Sequence, residues 1–162
     1  METEFPHWPA PLLERALGKT SDSWQADDLT SFARDAGIRL IALMHVGGDG
    51  WLKTLDFAPR DLSHFKDVLQ GGERADGSSL FGMMGIAAGA SDIVLRPQLS
   101  TAFLDPFREG TLCLLCSHFG RDGNPLPESP DTILRKAAAR LEESTKSSLT
   151  ALGEVEFFLG KK

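Results

Sequence analysis

Apolar residues recur along this chain with two different periods, and the places where the period changes divide it into elements. Leu29, Phe32, Ala33 and Ala36 fall at helical spacing behind Asp27, and Gly37 stops the run, which predicts a helix with a C-terminal glycine. Residues 38–46 form a β-rich run, Gly47-Gly48-Asp49-Gly50 reads as a turn, and residues 51–57 alternate again. Together these predict a hairpin. Leu62, Phe65 and Leu69 repeat on one face up to Gly71-Gly72, predicting a second helix. Short strands are expected at 92–95, 101–104 and 111–117, and a loop at 121–125.

Ser129-Pro130-Asp131 marks the next helix start, with a hydroxyl cap, proline at the first helical position and acid in the first turn. Leu134, Ala137, Ala138 and Leu141 give that helix its apolar stripe, and residues 150–159 read as a final strand. Residues 1–24 form an arm, with Pro6, Pro9 and Pro11 around Trp8 and a short apolar stripe over 12–17. Hairpin, helix, then further strands is an α+β order rather than strict βαβ alternation. A small mixed sheet with a helix packed across one face, the β-grasp arrangement, fits it.

Composition narrows the partners more than the fold. At 162 residues the chain suits one domain, or one domain plus part of another. A net charge of −6 argues against nucleic acid, whose phosphates need a basic surface. No run approaches the roughly 20 apolar residues of a membrane span. Met1-Glu2-Thr3-Glu4-Phe5 is acidic where a signal peptide is basic, so a cytoplasmic location is the expectation. Two cysteines are too few for a secreted disulfide framework.

Candidate chemistry gathers at a few places, each with a plain alternative. In a strand, Glu154 and Glu156 point to one face while Val155 and Phe157 point to the other. Such neighbouring carboxylates form either a solvated face or a place for a hard divalent cation. Cys113, Cys116 and His118 lack a second pair of soft ligands, and the thiols read as core filler. The glycine-rich run 82–90 lacks the Gly-Lys-Ser/Thr ending of a phosphate loop and reads as a flap. His7, His45, His64 and His118 are scattered, and surface placement is the expectation for each. Asp76 in Asp76-Gly77-Ser78-Ser79 is accounted for by a turn, because Asp bonds its own backbone and Gly accepts positive φ.

Taken in order, these pieces resemble a known family. Hairpin, helix, Asp76-Gly77-Ser78-Ser79, the stretches 91–95, 100–102, 105–107, 111–116 and 130–135, and Glu154-Val155-Glu156-Phe157-Phe158 look like glutamine synthetase from about residue 38 to 158. The resemblance implies an arm over 1–24, a β-grasp domain over 25–126 and the opening of a catalytic domain over 127–162. It implies ATP-dependent ligation of ammonia to the γ-carboxyl of glutamate in an oligomer. Asp76 is expected to reach a neighbouring subunit's site and bind ammonium. Glu154 and Glu156 are expected to give one ligand each to two Mg²⁺ or Mn²⁺ sites. The sequence departs from the family pattern at Ala75, at Ala90 and at Leu152-Gly153, where an aromatic, an acid and a Gly-Pro pair are usual. Because the family's other ligands lie downstream of this stretch, the 162 residues alone are expected to be catalytically incomplete. The alternatives are a stand-alone assembly or regulatory module, and a relative that ligates glutamate to another amine.

Overall fold

The computed structural model describes residues 12–82 and 92–161. Its elements are helices α1 (Leu12–Leu17), α2 (Ala26–Asp35), α3 (Leu62–Gly71), α4 (Gly77–Phe81) and α5 (Pro130–Thr145). The strands are β1 (Leu40–Val46), β2 (Leu52–Phe57), β3 (Glu73–Asp76), β4 (Asp92–Pro97), β5 (Phe103–Leu104) and β6 (Thr111–Phe119). The main sheet runs β2-β1-β6-β4-β3, with β5 paired to β6. β1 and β6 are parallel, with Leu43 beside Leu114, and the remaining pairs are antiparallel. This is the mixed α+β sheet that the sequence predicts.

Alternation decides which face is covered. Ile41 and Leu43 of β1, Leu112, Leu114 and Cys116 of β6, and Leu95 of β4 turn to one side. There they meet Leu29 and Ala33 of α2 and Phe65, Val68 and Leu69 of α3. Leu13 of α1 and Trp24 belong to the same core, so the end of the arm is packed onto this unit. A smaller cluster of Phe81, Ile93 and Leu126 lies at the other end of the sheet. Both cysteines are buried and unpaired, as filler should be, and burial pushes the Cys116 thiol up to about 12.

The helix ends follow local chemistry. Gln25 and Asp28 form a capping box at the start of α2, and the Asp61 carboxylate accepts from the His64 amide at 2.8 Å to start α3. Gly72 ends α3 at φ 86°, and a Cβ there would stand 2.3 Å from the Leu95 carbonyl oxygen. Gly72→Ala is therefore expected to cost at least about 2 kcal/mol, since positive φ and the collision act together. Urea unfolding midpoints of the two proteins measure it.

Three local expectations are corrected. Residues 73–76, for which no strand is predicted and whose last member is assigned to a turn, form the edge strand β3. The strand expected over 101–104 is a 3₁₀ turn at Leu99–Thr101 followed by the two residues of β5. Residues 150–159 form no strand, and no strand among the described residues pairs with them. Beyond Lys146 the described chain is exposed and carries neither helix nor strand. Among the described residues, no helix is long and apolar enough to cross a membrane.

Candidate functional site

Asp76 stands where β3 ends and α4 begins. Its carboxylate accepts from the Ser78 amide at 3.0 Å and from the Ser78 hydroxyl at 2.7 Å, and its carbonyl accepts from the Ser79 hydroxyl at 2.8 Å. The two serines thus hold the loop shape while Asp76 stays exposed. Across the β3–β4 pair, Asp76 is opposite Asp92, also exposed. Like charges directly opposite on a sheet repel, and a cation between or beside them relieves that repulsion.

Behind the loop, α4 is tied down at its far end. Phe81 is 1% exposed and packs with Ile93 and Leu126. The Leu80 carbonyl accepts from the Gly48 amide in the β1–β2 turn at 3.1 Å. The Phe81 ring stands perpendicular to that of His118, with 4.9 Å between centroids.

His118 and His45 are buried, which corrects the expectation of surface placement. His45 follows Ile41 and Leu43 on the inward face, and His118 follows Leu112, Leu114 and Cys116, so the alternation that built the core carries both imidazoles inside. Their rings meet, His118 Nε2 lying 3.0 Å from His45 Nδ1. On its other side His118 Nδ1 is 2.7 Å from the Ser129 hydroxyl, which in turn donates to the Asp131 carboxylate. Ser129 precedes α5 as the motif predicts, but its side chain makes no capping bond and serves this buried chain instead. His64 is half-buried on α3, its Nδ1 accepting from the Arg60 amide at 3.1 Å.

The electrostatics of this chain are one-sided. Burial, then the neighbouring His118 and Lys53, push the His45 imidazole down to about 4. Burial also lowers His118, against the pull of Asp131. Burial opposes ionisation of Asp131, yet hydrogen bonds from Ser129 and Ser117 together with His118 hold it below the usual carboxylate range. Between about pH 6.5 and 4 the unfolded chain takes up a proton on His45 that the folded chain refuses. Stability should therefore fall by on the order of 2–3 kcal/mol as pH drops through that window. Above pH 6.5 it should be insensitive to His45, and chemical denaturation at pH 7, 5.5 and 4.5 reads the slope.

The glutamate pair is placed differently. Glu154 and Glu156 are exposed on a segment that belongs to no strand, so no pleat aligns their side chains. Among the described residues, no group of three or more His, Cys, Asp or Glu side chains could hold a metal ion. Mg²⁺ is usually held by one or two carboxylates that point at one position, with waters or phosphate oxygens completing the octahedron, and no strand fixes these two side chains toward one point. The described residues therefore do not by themselves fit a divalent cation. The glycine-rich run expected to act as a flap lies outside the described residues beyond Gly82, as does His7.

A family model described as glutamine synthetase, beta-Grasp domain, matches residues 37–120, just over half of the chain. The chain belongs to the glutamine synthetase family. A glutamine synthetase of Azotobacter vinelandii is 39% identical over 132 residues, covering 77% of this chain and 25% of the relative. One from Neisseria gonorrhoeae is 40% identical over 97 residues, covering 58% and 20%. A 3-hydroxylaminophenol mutase of Cupriavidus pinatubonensis is 40% identical over 99 residues, covering 59% and 19%. Among solved structures, Plasmodium falciparum glutamine synthetase superposes with a TM-score of 0.59 at 20% identity, over 75% of this chain and 23% of that one. Apo GmaS gives 0.61 at 20% identity, over 72% and 26%. Those two likenesses establish the β-grasp fold. The chain spans about a fifth to a quarter of the length of these curated relatives. The matched span contains Asp76, His45 and His118, whereas Glu154 and Glu156 lie outside it.

Proposed function

We propose that this chain serves a glutamate–ammonia ligase as its β-grasp part and delivers Asp76 to the active site of a neighbouring subunit. The observation that carries the reading is Asp76 itself: an exposed carboxylate inside the family match, fixed by Ser78 and placed opposite Asp92 at a sheet edge. An anion held there favours NH₄⁺ over neutral ammonia and can take up its proton before the nitrogen attacks an activated γ-carboxyl. In this reading glutamate, ammonium and ATP are the substrates of the complete oligomer in the cytoplasm. Residues 1–24 are an arm, 25–126 the β-grasp domain and 127–162 the opening of the catalytic domain.

Glu154 and Glu156 belong to that opening. Their part is to offer carboxylates to divalent cations once a barrel of strands and further oxygen ligands surround them. Because the chain spans about a fifth to a quarter of the length of its curated relatives, the 162 residues alone are expected not to form glutamine. Ligase and γ-glutamyl transfer assays on the purified chain test this, and robust turnover would refute the incompleteness.

A second reading is supported by the make-up of the core. Among the described residues the apolar clusters draw on residues 13–126, and the exposed tail adds nothing to them. The chain would then act as an assembly or regulatory module that binds full-length synthetase subunits. Size-exclusion chromatography of the mixture distinguishes it, since separate elution counts against the module. A third reading, ligation to another amine, draws on the 40% identity over 72 residues with a glutamate–isopropylamine ligase of Pseudomonas. Competing amines in the ligase assay decide it.

A further inference from the structure

The buried hydrogen-bonded chain has a direction. A carboxylate only accepts, so Asp131 takes the Ser129 proton, and the Ser129 oxygen must then accept from His118 Nδ1–H. This leaves His118 Nε2 as an acceptor, which His45 Nδ1–H fills. Every member is used, and the imidazole of His118 can neither rotate nor flip without leaving a buried polar atom unpaired. Three elements meet on this one ring: β1 through His45, α5 through Ser129, and α4 through the perpendicular Phe81.

α4 is only Gly77–Phe81, too short to hold itself. Asp76 caps one end of it, and Phe81 anchors the other. We propose that His118 is a positioning residue for Asp76: locked by His45, Ser129 and Asp131, it fixes Phe81 and through it the short helix whose first turn aims the carboxylate. The assignment deepens the ammonium-binding reading and rests on it for its functional meaning, while the mechanical coupling stands independently. It also explains why two imidazoles are buried in a core that apolar side chains could have filled.

Amide hydrogen exchange at pH 7, together with the ¹⁵N signature of the histidine tautomers, tests the coupling in the full 162-residue chain. The wild type should give Nδ1–H tautomers for both His45 and His118. His118→Ala should speed exchange at Ser78–Phe81 by about tenfold relative to the central amides of Leu43 and Leu114. Ser129→Ala removes only a hydroxyl, so it keeps the fold measurable should His118→Ala fail to fold. It should disturb the His118 tautomer signal and speed the same α4 amides by a smaller factor. Phe81→Leu should loosen α4 while leaving the tautomers intact. In a glutamine-forming mixture, Ser129→Ala should raise KM for ammonium and leave KM for ATP unchanged. The proposal is overturned if α4 exchange is unmoved in both polar variants, or if all amides accelerate by one common factor. It is equally overturned if His118 carries its proton on Nε2. A failed ammonium-binding reading appears elsewhere, as indifference of ligation to Asp76→Asn, so the two failures are distinguishable.

Discussion

Leu114→Ala should destabilise the folded chain by about 3–4 kcal/mol, the upper half of the range for a leucine removed from a core. Leu114 is fully buried at the middle of β6, beside Leu43 in the parallel pairing of β1 with β6. It faces the helices, so the void left behind is walled by β1, α2 and α3 and cannot collapse by a shift of a single loop. The adjacent Leu115 provides the control. It is 41% exposed on the opposite face, and Leu115→Ala should cost less than about 1 kcal/mol. Denaturant unfolding of the pair measures both. Equal losses would mean that the inward face has been misassigned, and the burial of His45 and His118 would fall with it.

The second large effect is chemical. Asp76→Asn retains a side chain that caps a helix as well as aspartate does, so the fold should be nearly unchanged. It removes the charge. In any assembly where this chain supports glutamine formation, kcat/KM for ammonium should drop by about a hundredfold or more, the scale of a lost general base. Thermal unfolding alongside the kinetics separates the two consequences. A variant with normal ammonium kinetics would show that the loop is a turn and nothing else.

These two effects depend on different parts of what the sequence discloses. The β-rich run 38–46 and the short strand expected at 111–117 predict β1 and β6, and the stripes Leu29-Phe32-Ala33 and Leu62-Phe65-Leu69 predict the helices that cover them. The helical signals are strong because burial on one face imposes a regular period, and the strand signals because consecutive apolar residues serve a sheet buried on both faces. Side-chain parity along these strands, counted from Ile41 and Leu112, puts His45 and His118 on the inward face. Treating histidine as a surface residue by type hid them, although the buried neighbours at Leu43 and Cys116 give the parity. Asp131 was legible as first-turn acid, but its role as the end of a polar chain depends on contacts between β1, β6 and α5 that no local pattern encodes.

The tail fails for the opposite reason. The alternation around Glu154 and Glu156 has strand character, but a strand needs a neighbour to satisfy its backbone, and the described residues offer none. Val155, Phe157 and Phe158 are left in solvent as a consequence. The edge strand β3 leaves little trace in the sequence, because four residues alternating intermediate and exposed carry little hydrophobic signal. The turn chemistry of Asp76-Gly77 dominates that stretch and ends it.

On the proposed reading this chain supplies Asp76 and not a whole catalytic centre. Glutamine formation from glutamate, ammonium and ATP in the presence of Mg²⁺ should be measured for the chain alone and for the chain mixed with a full-length synthetase lacking its own loop aspartate. The account predicts no turnover by the chain alone, recovery in the mixture, and no recovery with the Asp76→Asn chain. Turnover by the chain alone, equal recovery with Asp76→Asn, or a mixture that stays inactive would each contradict it.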